Sequence, residues 1–378
     1  MPHEVNARDA WRAGAVLEVD LGLIAANYRA MSQRYSGRTL SAVVKNDGYG
    51  LGLSPVVKTL LQEGCTHFWV RDLAEAMTVR EIAPRVEIFT LHGLQGEDPA
   101  NFATGRITPV LVSRGEVALC AATARRAESR LAVAIQLDTG LGRLGLDEAD
   151  VIRLAEDRGS LASLEIKAWV SHLAAFDLPD AESNLAQRKR LVSWLAHLPA
   201  APISLASSSG LFMGADWHFD IARVGSALYG VQTSTTWQDG LEPCYRLTAP
   251  ILRVARAAEG ATIGYRGITC LKRPSVIATA AIGYGNGLPQ GFGRECRVRV
   301  AGNEVPIVGG IAMNLTMLDV TDLPERAAAP GERAVFLDSK QTVDKVAGWI
   351  GCAPNALLTQ IGAGTRRAYL RDGSPVEV

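Results

Sequence analysis

The sequence predicts an α/β protein in which a TIM (β/α)8 barrel is followed by a C-terminal mostly-β domain. First, the 378-residue chain is too long for one small core. Second, its first two-thirds alternate short apolar runs with amphipathic stretches of helical period, as parallel β/α units do. Third, the pattern changes near Glu242 to short β-branched runs. Eight apolar runs precede that point, and eight strands close a TIM barrel. A doubly wound open sheet is the competing interpretation.

The predicted barrel occupies residues 1–241. Its strands are the short apolar runs at Leu40–Lys45, His67–Val70, Val86–Leu91, Thr108–Val112, Leu131–Asp138, Leu164–Ser171, Ile203–Ala206 and Ile221–Val224. The intervals between them carry helical patterns at Pro55–Glu63, Leu73–Ile82, Val117–Arg130, Glu148–Arg158 and Asp180–Leu198.

The predicted β domain occupies residues 242–378. Its strands are separated by Gly, Asn or Pro and lie at Arg246–Ala257, Ala261–Cys270, Val276–Ile282, Cys296–Val300, Pro306–Val308 and Met317–Val320. One helix is expected at Thr342–Trp349, with Thr342 as its N-cap. The early strand Ala15–Asp20 has no place in the barrel, so we expect it to join the β domain.

Composition excludes several classes of protein. Lys+Arg and Asp+Glu are both 39, so no global basic field is present to hold nucleic acid or an anionic membrane. No apolar run approaches the roughly 20 residues that span a bilayer. Met1–Gly14 is polar and lacks the apolar core of a secretion signal. The cysteines are scattered and never form CxxC, which indicates buried thiols of a cytoplasmic protein and predicts no metal site.

Lys45 is a candidate for covalent chemistry. It ends the apolar run Ala42–Val44 and precedes the turn-rich loop Asn46–Gly50. At the C-terminal end of a barrel strand it would lie on the active face, where partial desolvation lowers a lysine pKa and favours Schiff-base formation. From position alone, an ammonium that simply reaches water is equally compatible. Lys167, in the middle of a predicted strand, is a weaker rival.

Two loops on the same face suggest a phosphate site. Ser207–Gly210 follows the seventh predicted strand and Gly225–Ala227 follows the eighth. Hydroxyls and glycine N–H groups bind phosphate, and TIM barrels often bind it here, although N-capping serines would explain either loop alone. With Lys45, the loops suggest pyridoxal 5'-phosphate (PLP). Arg223 could donate to the pyridine nitrogen and leave it unprotonated; the alternative for Arg223 is a surface or interface ion pair.

Five segments carry a resemblance to a known family. In order along the chain they are Val44–Gly50, Asp138–Gly145, Ser171–His172, Arg223–Gly230 and Ile282–Gly287. The first resembles the PLP-attachment motif of alanine racemases, the second their DTGMxRxG segment, and the last their Gly-Tyr-Gly motif. The resemblance runs from about Val16 to Leu370.

The resemblance implies a PLP-dependent racemase that acts as a head-to-tail homodimer. Lys45 would hold PLP, and the residues that bind its phosphate would be Tyr49, Ser208, Gly225 and Ser226. The reaction would use two bases on opposite faces of the substrate Cα: Lys45 of one subunit and Tyr284 of the partner subunit. His172 would assist the tyrosine and would in turn contact Arg223. Arg143 would touch the cofactor's phenolic oxygen or the substrate carboxylate, and the backbone N–H of Met313 would also hold that carboxylate.

Several positions depart from the usual family pattern. In this chain Gln136 stands where the family usually has a lysine that pairs with Arg143, and Asn355 stands where it has a tyrosine that narrows the pocket. The other departures are Leu51 in place of His, Ser207 in place of Asn, Gly310 in place of Arg and Asn314 in place of Asp. Either a bound anion such as chloride replaces the charge lost at Gln136, or Gln136 alone holds Arg143.

The changes at Gly310, Asn314 and Asn355 predict a roomier, more polar substrate pocket. We therefore expect serine or a longer polar amino acid to compete with alanine. A PLP-dependent aldolase or decarboxylase of the same fold is the alternative, and a PLP carrier without catalysis is a third hypothesis. Tyr284 argues against an aldolase, which gains from lacking the second base. Residues 242–378 argue against a carrier, because the family resemblance implies that carriers of this barrel type lack the β domain.

Overall fold

The structure is a computed structural model that describes residues 14–235, 238–324 and 326–377. The sequence predicts that the polar N-terminal stretch Met1–Gly14 is not a secretion signal. Residues 1–13 of that stretch lie outside the described residues. Within the described ranges, no helix is both long and apolar enough to cross a membrane.

The predicted TIM barrel is confirmed. Among the described residues, eight parallel strands form it in the order β8-β7-β6-β5-β4-β3-β2-β9. Their bounds are β2 Thr39–Val43, β3 His67–Val70, β4 Glu87–Thr90, β5 Thr108–Leu111, β6 Leu131–Gln136, β7 Leu164–Val170, β8 Ile203–Ser204 and β9 Ile221–Val224. A bridge between Ser207 and Arg223 joins the first and last strands and so nearly closes the ring. The interior is packed with Val43, Trp69, Phe89, Val110 and other side chains, as expected for a barrel of this size.

Helices surround the barrel and begin at side-chain caps. Asp20, Asp72, Asp98, Ser113 and Asp147 each accept from a backbone N–H in the first helical turn, which satisfies donors that the helix itself leaves free. The helices are α1 Leu21–Arg34, α2 Leu53–Gln62, α3 Leu73–Ile82, α4 Pro99–Gly105, α5 Arg114–Arg126, α6 Glu148–Glu156, α7 Arg158–Ala162 and α8 Glu182–Leu195.

The mostly-β domain is also confirmed. In the described part of the chain it is a nine-stranded sheet in the order β13-β16-β15-β14-β17-β10-β1-β18-β19. Its strands are β1 Val16–Asp20, β10 Tyr245–Ala257, β13 Ser275–Ala280, β14 Arg297–Val300, β15 Asn303–Ile311, β16 Thr316–Asp319, β17 Arg333–Leu337, β18 Arg366–Arg371 and β19 Ser374–Pro375. The long strand β10 also pairs with β13, and this pairing closes the inner strands into a ring. The N-terminal strand β1 lies in this sheet between β10 and β18.

Within the described residues, the α-helices of this domain are α9 Phe292–Glu295, α10 Val343–Ile350 and α11 Pro354–Gly364. Thr342 occupies the predicted N-cap of α10, but its side chain makes no capping bond. The N–H of Val343 donates instead to the Tyr245 hydroxyl, 3.1 Å away.

Two predicted strands have different limits in the structure. The predicted strand Leu40–Lys45 is strand β2, which ends at Val43, three residues before Asn46, where the left-handed turn starts. The predicted strand Ala261–Cys270 is a small hairpin of β11 Thr262–Ile263 and β12 Thr269–Cys270, since the Tyr265–Gly267 turn interrupts it.

Candidate active site

A cavity of about 370 Å³ opens at the C-terminal ends of the barrel strands. The predicted site residues that line it are Lys45, Tyr49, Arg143, His172, Ser208, Arg223, Gly225, Ser226 and Asn355. Three of them are formal cations, and none of the described residues that line the cavity is Asp or Glu. The cavity is therefore complementary to an anionic ligand.

Lys45 begins a strained turn. Asn46, Asp47, Gly48 and Tyr49 all have φ between 54° and 62°, a left-handed conformation that costs about 1–2 kcal/mol for most residues with a β-carbon. Such strain is often stored at functional sites. Burial lowers the pKa of the Lys45 ammonium, and the positive charges of Arg143 and Arg223 lower it further, while Glu75 opposes them. The amine is therefore more readily neutral than a surface lysine.

Arg223, on β9, is buried and lines the cavity. Its Nη1 donates to the Ser204 carbonyl at 2.8 Å and to the Ser204 hydroxyl at 2.6 Å, and its Nη2 donates to the Ser171 carbonyl at 2.7 Å. No carboxylate lies within 4 Å of it among the described residues. Burial lowers the pKa of the Arg223 guanidinium to about 10, and Arg143 contributes. At neutral pH Arg223 is therefore still a cation, and it can donate a hydrogen bond to a neutral acceptor such as a ring nitrogen.

His172 follows β7 and lies beside Arg223. Its Nδ1 is 3.5 Å from Nη2 of Arg223. Burial lowers the pKa of His172 to about 3, helped by the charges of Arg223, Arg143 and Lys45. The imidazole is therefore neutral at physiological pH and can accept or donate one hydrogen bond at each nitrogen.

Hydroxyl groups line one end of the cavity. The Ser208 hydroxyl accepts from the N–H of Gly225 at 2.9 Å and from that of Ala227 at 3.2 Å, which leaves its own proton free to donate. The Tyr49 hydroxyl lies so close to Gly225 that a Cβ on that residue would be 2.3 Å from it. A side chain at position 225 would therefore require the Tyr49 ring to move.

Three further hydroxyls lie at the same end. Thr233 Oγ1 is 3.0 Å from the Ser209 hydroxyl and 3.4 Å from that of Ser226. Sequence reasoning did not single out Thr233, because it lies beyond the loop that follows β9. His92 lines the cavity and was missed as well. It comes two residues after β4, and this position at the C-terminal end of a barrel strand is a signal that could have found it.

Arg143 lies at the cavity mouth on a loop with two anchors. Asp138 Oδ1 accepts from the N–H groups of Gly140, Leu141 and Gly142, at 3.0, 2.8 and 3.1 Å. Gln136 Nε2 donates to the Leu144 carbonyl at 2.9 Å. The Gln136 amide therefore fixes the backbone beside Arg143.

Asn355 lies in the first turn of helix α11 and lines two cavities. One is the cavity described above, and the other is an open groove of about 480 Å³ that also contacts Lys45 and Tyr49. The Asn355 Oδ1 is buried and has no hydrogen-bond partner among the described residues. An unpaired buried amide is unfavourable unless a ligand satisfies it.

Three predicted site residues form a separate cluster on the β domain. The N–H of Gly285, next to Tyr284, donates to the Met313 carbonyl at 2.7 Å, and Asn314 lies against Gly285. Tyr284 and Met313 are 42% and 57% exposed. Neither they nor Asn314 are among the residues that line the Lys45 cavity.

Lys167, the rival lysine, lies elsewhere. It forms an ion pair with Glu165 at 2.7 Å and lines a different cavity at the N-terminal ends of the barrel strands.

The residues present fit PLP. The hydroxyl-lined end can hold a phosphate, Lys45 provides an amine, and Arg223 is a buried cation with no carboxylate beside it among the described residues. A volume near 370 Å³ lies within the range of small-molecule pockets, roughly 300–1,000 Å³.

Comparison with known proteins agrees with this geometry. The family model described as "Alanine racemase, N-terminal domain" matches residues 19–233, and "Alanine racemase, C-terminal domain" matches residues 244–369. The chain belongs to the alanine racemase family.

Similar sequences and structures carry the same name. The alanine racemase of Acidiphilium cryptum is 36% identical over 93% of this chain and 97% of its own length. The catabolic alanine racemase of Agrobacterium fabrum is 33% identical over 96% of this chain and 93% of its own. The crystal structure of the Bartonella henselae alanine racemase with covalently bound pyridoxal phosphate has a TM-score of 0.91 and 32% identity, covering 95% of this chain and all of that one.

The predictions of family and activity are therefore confirmed: this chain is a PLP-dependent amino-acid racemase, an isomerase. The comparisons do not favour the alternative of an aldolase or decarboxylase.

Proposed function

We propose that this racemase interconverts the L and D forms of serine as well as of alanine, in a pocket that Asn355 makes wider and more polar. The observation that carries this proposal is the buried, unpaired Oδ1 of Asn355. A serine hydroxyl is a donor of the right kind to satisfy it, whereas alanine offers none. The open groove beyond Asn355 also leaves room for a longer polar side chain such as that of lysine.

The cofactor would be bound at both ends. Tyr49, Ser208, Gly225 and Ser226 would hold its phosphate through hydroxyl and N–H groups, and Lys45 would be the point of attachment. The guanidinium of Arg223 would donate to the ring nitrogen. An arginine does not release its proton here, so that nitrogen would stay unprotonated, which restrains side reactions such as transamination.

Racemisation would use two bases on opposite faces of the substrate Cα. When bound, PLP withdraws electrons from Cα and so acidifies its C–H bond. Lys45 Nζ would move the proton on one face, and its lowered pKa supports that role. The hydroxyl of Tyr284 of the partner subunit would move the proton on the other face. His172 would be the neutral group that assists this tyrosine, with Arg223 behind it.

The substrate carboxylate would be held at the cavity mouth. Arg143 supplies a cation there, on a loop fixed by Asp138 and Gln136. The backbone N–H of Met313 and the side chain of Asn314 would complete the pocket. Because both lie beside Tyr284 on the β domain, we infer that all three reach the cavity from the partner subunit.

A homodimer would therefore complete the active sites across its interface. Exposed apolar side chains on the β domain support this: Tyr265, Ile268 and Leu315 are all solvent-exposed in the single chain. The free thiols support a reducing compartment, and we place the enzyme in the cytoplasm, where its D-amino acids would serve cell-wall synthesis.

The test compares kcat/KM for L-Ala, L-Ser and L-Lys in the wild type and in Asn355→Tyr. We expect the kcat/KM of the wild type for L-Ser to be within about tenfold of its kcat/KM for L-Ala. In Asn355→Tyr the serine-to-alanine ratio of kcat/KM should fall by about tenfold or more. Gln360→Tyr adds the same bulk further out along the groove. It is the control for serine against alanine alone, and it should leave the serine-to-alanine ratio of kcat/KM unchanged. A wild-type preference for alanine above roughly a thousandfold would refute the proposal.

A further inference from the structure

A strand of the β domain makes hydrogen bonds to the turn that begins at Lys45. From β18, Arg367 Nη1 donates to the Asp47 carboxylate at 2.5 Å and to the Gly50 carbonyl at 3.0 Å. The Tyr369 hydroxyl, on the same strand, donates to the Leu51 carbonyl at 3.1 Å. The Arg367 side chain is only 7% exposed, whereas that of Asp47 is 52% exposed. A buried guanidinium thus reaches out of the β domain to an acidic side chain of the barrel.

Barrel residues also make hydrogen bonds to the same turn. The N–H of Asp47 donates to Glu75 on α3 at 3.3 Å, and Arg71 Nη1 donates to the Asn46 side chain at 3.2 Å. Asp47 Oδ1 accepts from the N–H of Leu53 at 2.7 Å. The two carboxylate oxygens of Asp47 therefore connect β18 to the start of α2.

Helix α11 closes the third side. A Cβ on Gly50 would lie 2.9 Å from the Thr359 carbonyl, and one on Gly362 would lie 2.2 Å from the Gly50 carbonyl. The two backbones are in direct contact, so the turn has little freedom to move away from the β domain.

These contacts matter because the turn is not in its preferred conformation. Residues 46–49 are left-handed, and such a backbone persists only when its surroundings hold it. Lys45 is the residue immediately before them. If the turn relaxed toward ordinary dihedral angles, the direction of the Lys45 side chain would change first.

We propose that Arg367 and Asp47 are a positioning pair that holds the left-handed turn and thereby fixes the direction in which Lys45 enters the cavity. Neither side chain is among the residues that line the main cavity, so both act through Lys45. The inference goes beyond the proposed function, because it is the same whichever amino acid the enzyme racemises.

The test is a double-mutant cycle of Asp47→Asn, Arg367→Met and the double variant, measured on cofactor binding without amino-acid substrate. The dissociation constant of PLP is measured by equilibrium dialysis, and the visible band of the bound cofactor is titrated from about pH 5 to 10. We expect each single variant to weaken PLP binding by about tenfold and to move the titration midpoint, and the double variant to be no weaker than the worse single one. Arg366→Met, at an exposed position next to Arg367, is the matched control and should stay within about twofold of the wild type.

Three outcomes would overturn the proposal: single variants that bind PLP as tightly as the control, effects that multiply in the double variant, or a lower Tm with no change in PLP affinity or titration midpoint. Should Arg367→Met fail to fold, Asp47→Asn decides alone, since Asp47 is half-exposed and its replacement is nearly isosteric. An enzyme that rejects serine would leave this test unaffected.

Discussion

At the scale of single residues, the site is governed by uncompensated positive charge. Lys45, Arg143 and Arg223 line one cavity, and no carboxylate is present among its described lining residues. Burial, and after it repulsion between the positive charges, lowers the pKa of Lys45 and of His172 and so favours their neutral forms. An anionic cofactor and an anionic substrate would relieve that repulsion, so we expect binding and the charge state of Lys45 to be coupled.

His172 should make stability depend on pH. Its folded pKa, about 3, is below the value near 6.5 of an unfolded histidine. Below pH 6.5 the unfolded chain therefore binds a proton that the folded chain does not, and stability falls as the pH falls. We expect His172→Gln to reduce this loss by up to about 1 kcal/mol per pH unit below pH 6, measured by urea denaturation between pH 8 and 5.

The control for that measurement is His197→Gln, since His197 is exposed at the end of α8. It should show the same loss of stability on acidification as the wild type. Parallel curves for His172→Gln and His197→Gln would contradict the assignment of a neutral, buried imidazole at position 172.

At the scale of elements, α10 shows how tertiary contacts replace local capping. Thr342 stands at its N-cap, yet its hydroxyl is buried without a partner among the described residues, and Tyr245 from β10 accepts the first free N–H. The helix also contains Gly348, which is exposed and would meet nothing within 4 Å if it carried a Cβ. Its backbone entropy is therefore lost without any gain in packing.

We expect Gly348→Ala to stabilise the protein by about 0.5–1 kcal/mol, because alanine is the better helix former and the space is open. Gly351, at the C-cap of the same helix, has equally open space but φ of +71°. Gly351→Ala should destabilise by about 1 kcal/mol, since a left-handed cap disfavours a β-carbon. Thermal unfolding distinguishes the two. A loss of stability in Gly348→Ala would mean that helix propensity does not govern this position.

At the scale of the whole molecule, the predicted site residues form two clusters. One lies around Lys45 in the barrel, and the other, with Tyr284, lies on the exposed surface of the β domain. Two bases for one Cα must flank the same substrate, so we infer that the second cluster serves a neighbouring subunit.

Subunit mixing tests this arrangement. Lys45→Ala and Tyr284→Phe should each be nearly inactive, but in a mixed dimer one of the two sites contains both native residues. Random exchange gives half mixed dimers, so activity should return to about a quarter of the wild-type level. Racemisation is followed by chiral chromatography, and Lys45→Ala alone should lack the visible band that borohydride reduces. No recovery after proven exchange would place both bases in one chain and contradict the shared site.

Local pattern was enough for most of the fold. The apolar runs identified all eight barrel strands, although β8 is only two residues long, and β-branched runs identified most of the second domain. Patterns failed where contacts distant in sequence decide the structure. Strand β17, Arg333–Leu337, and strand β18, Arg366–Arg371, were missed, as was helix α11, Pro354–Gly364. Strand β17 pairs with β10, and strand β18 pairs with β1. Both partners are far away in the sequence, so the local pattern does not reveal the pairing.

The sequence by itself determined the architecture, the family and the chemistry: a lysine at the end of a buried strand, hydroxyl-rich loops, and motifs in a fixed order. Those features are local, and local periodicity and residue type are written directly in the chain. Only the tertiary structure decided how Lys45 is held, which loop Gln136 anchors, and that Tyr284 lies apart from the cavity. Each of these depends on a contact between segments that sequence distance does not reveal, because hydrogen bonding and packing act through space.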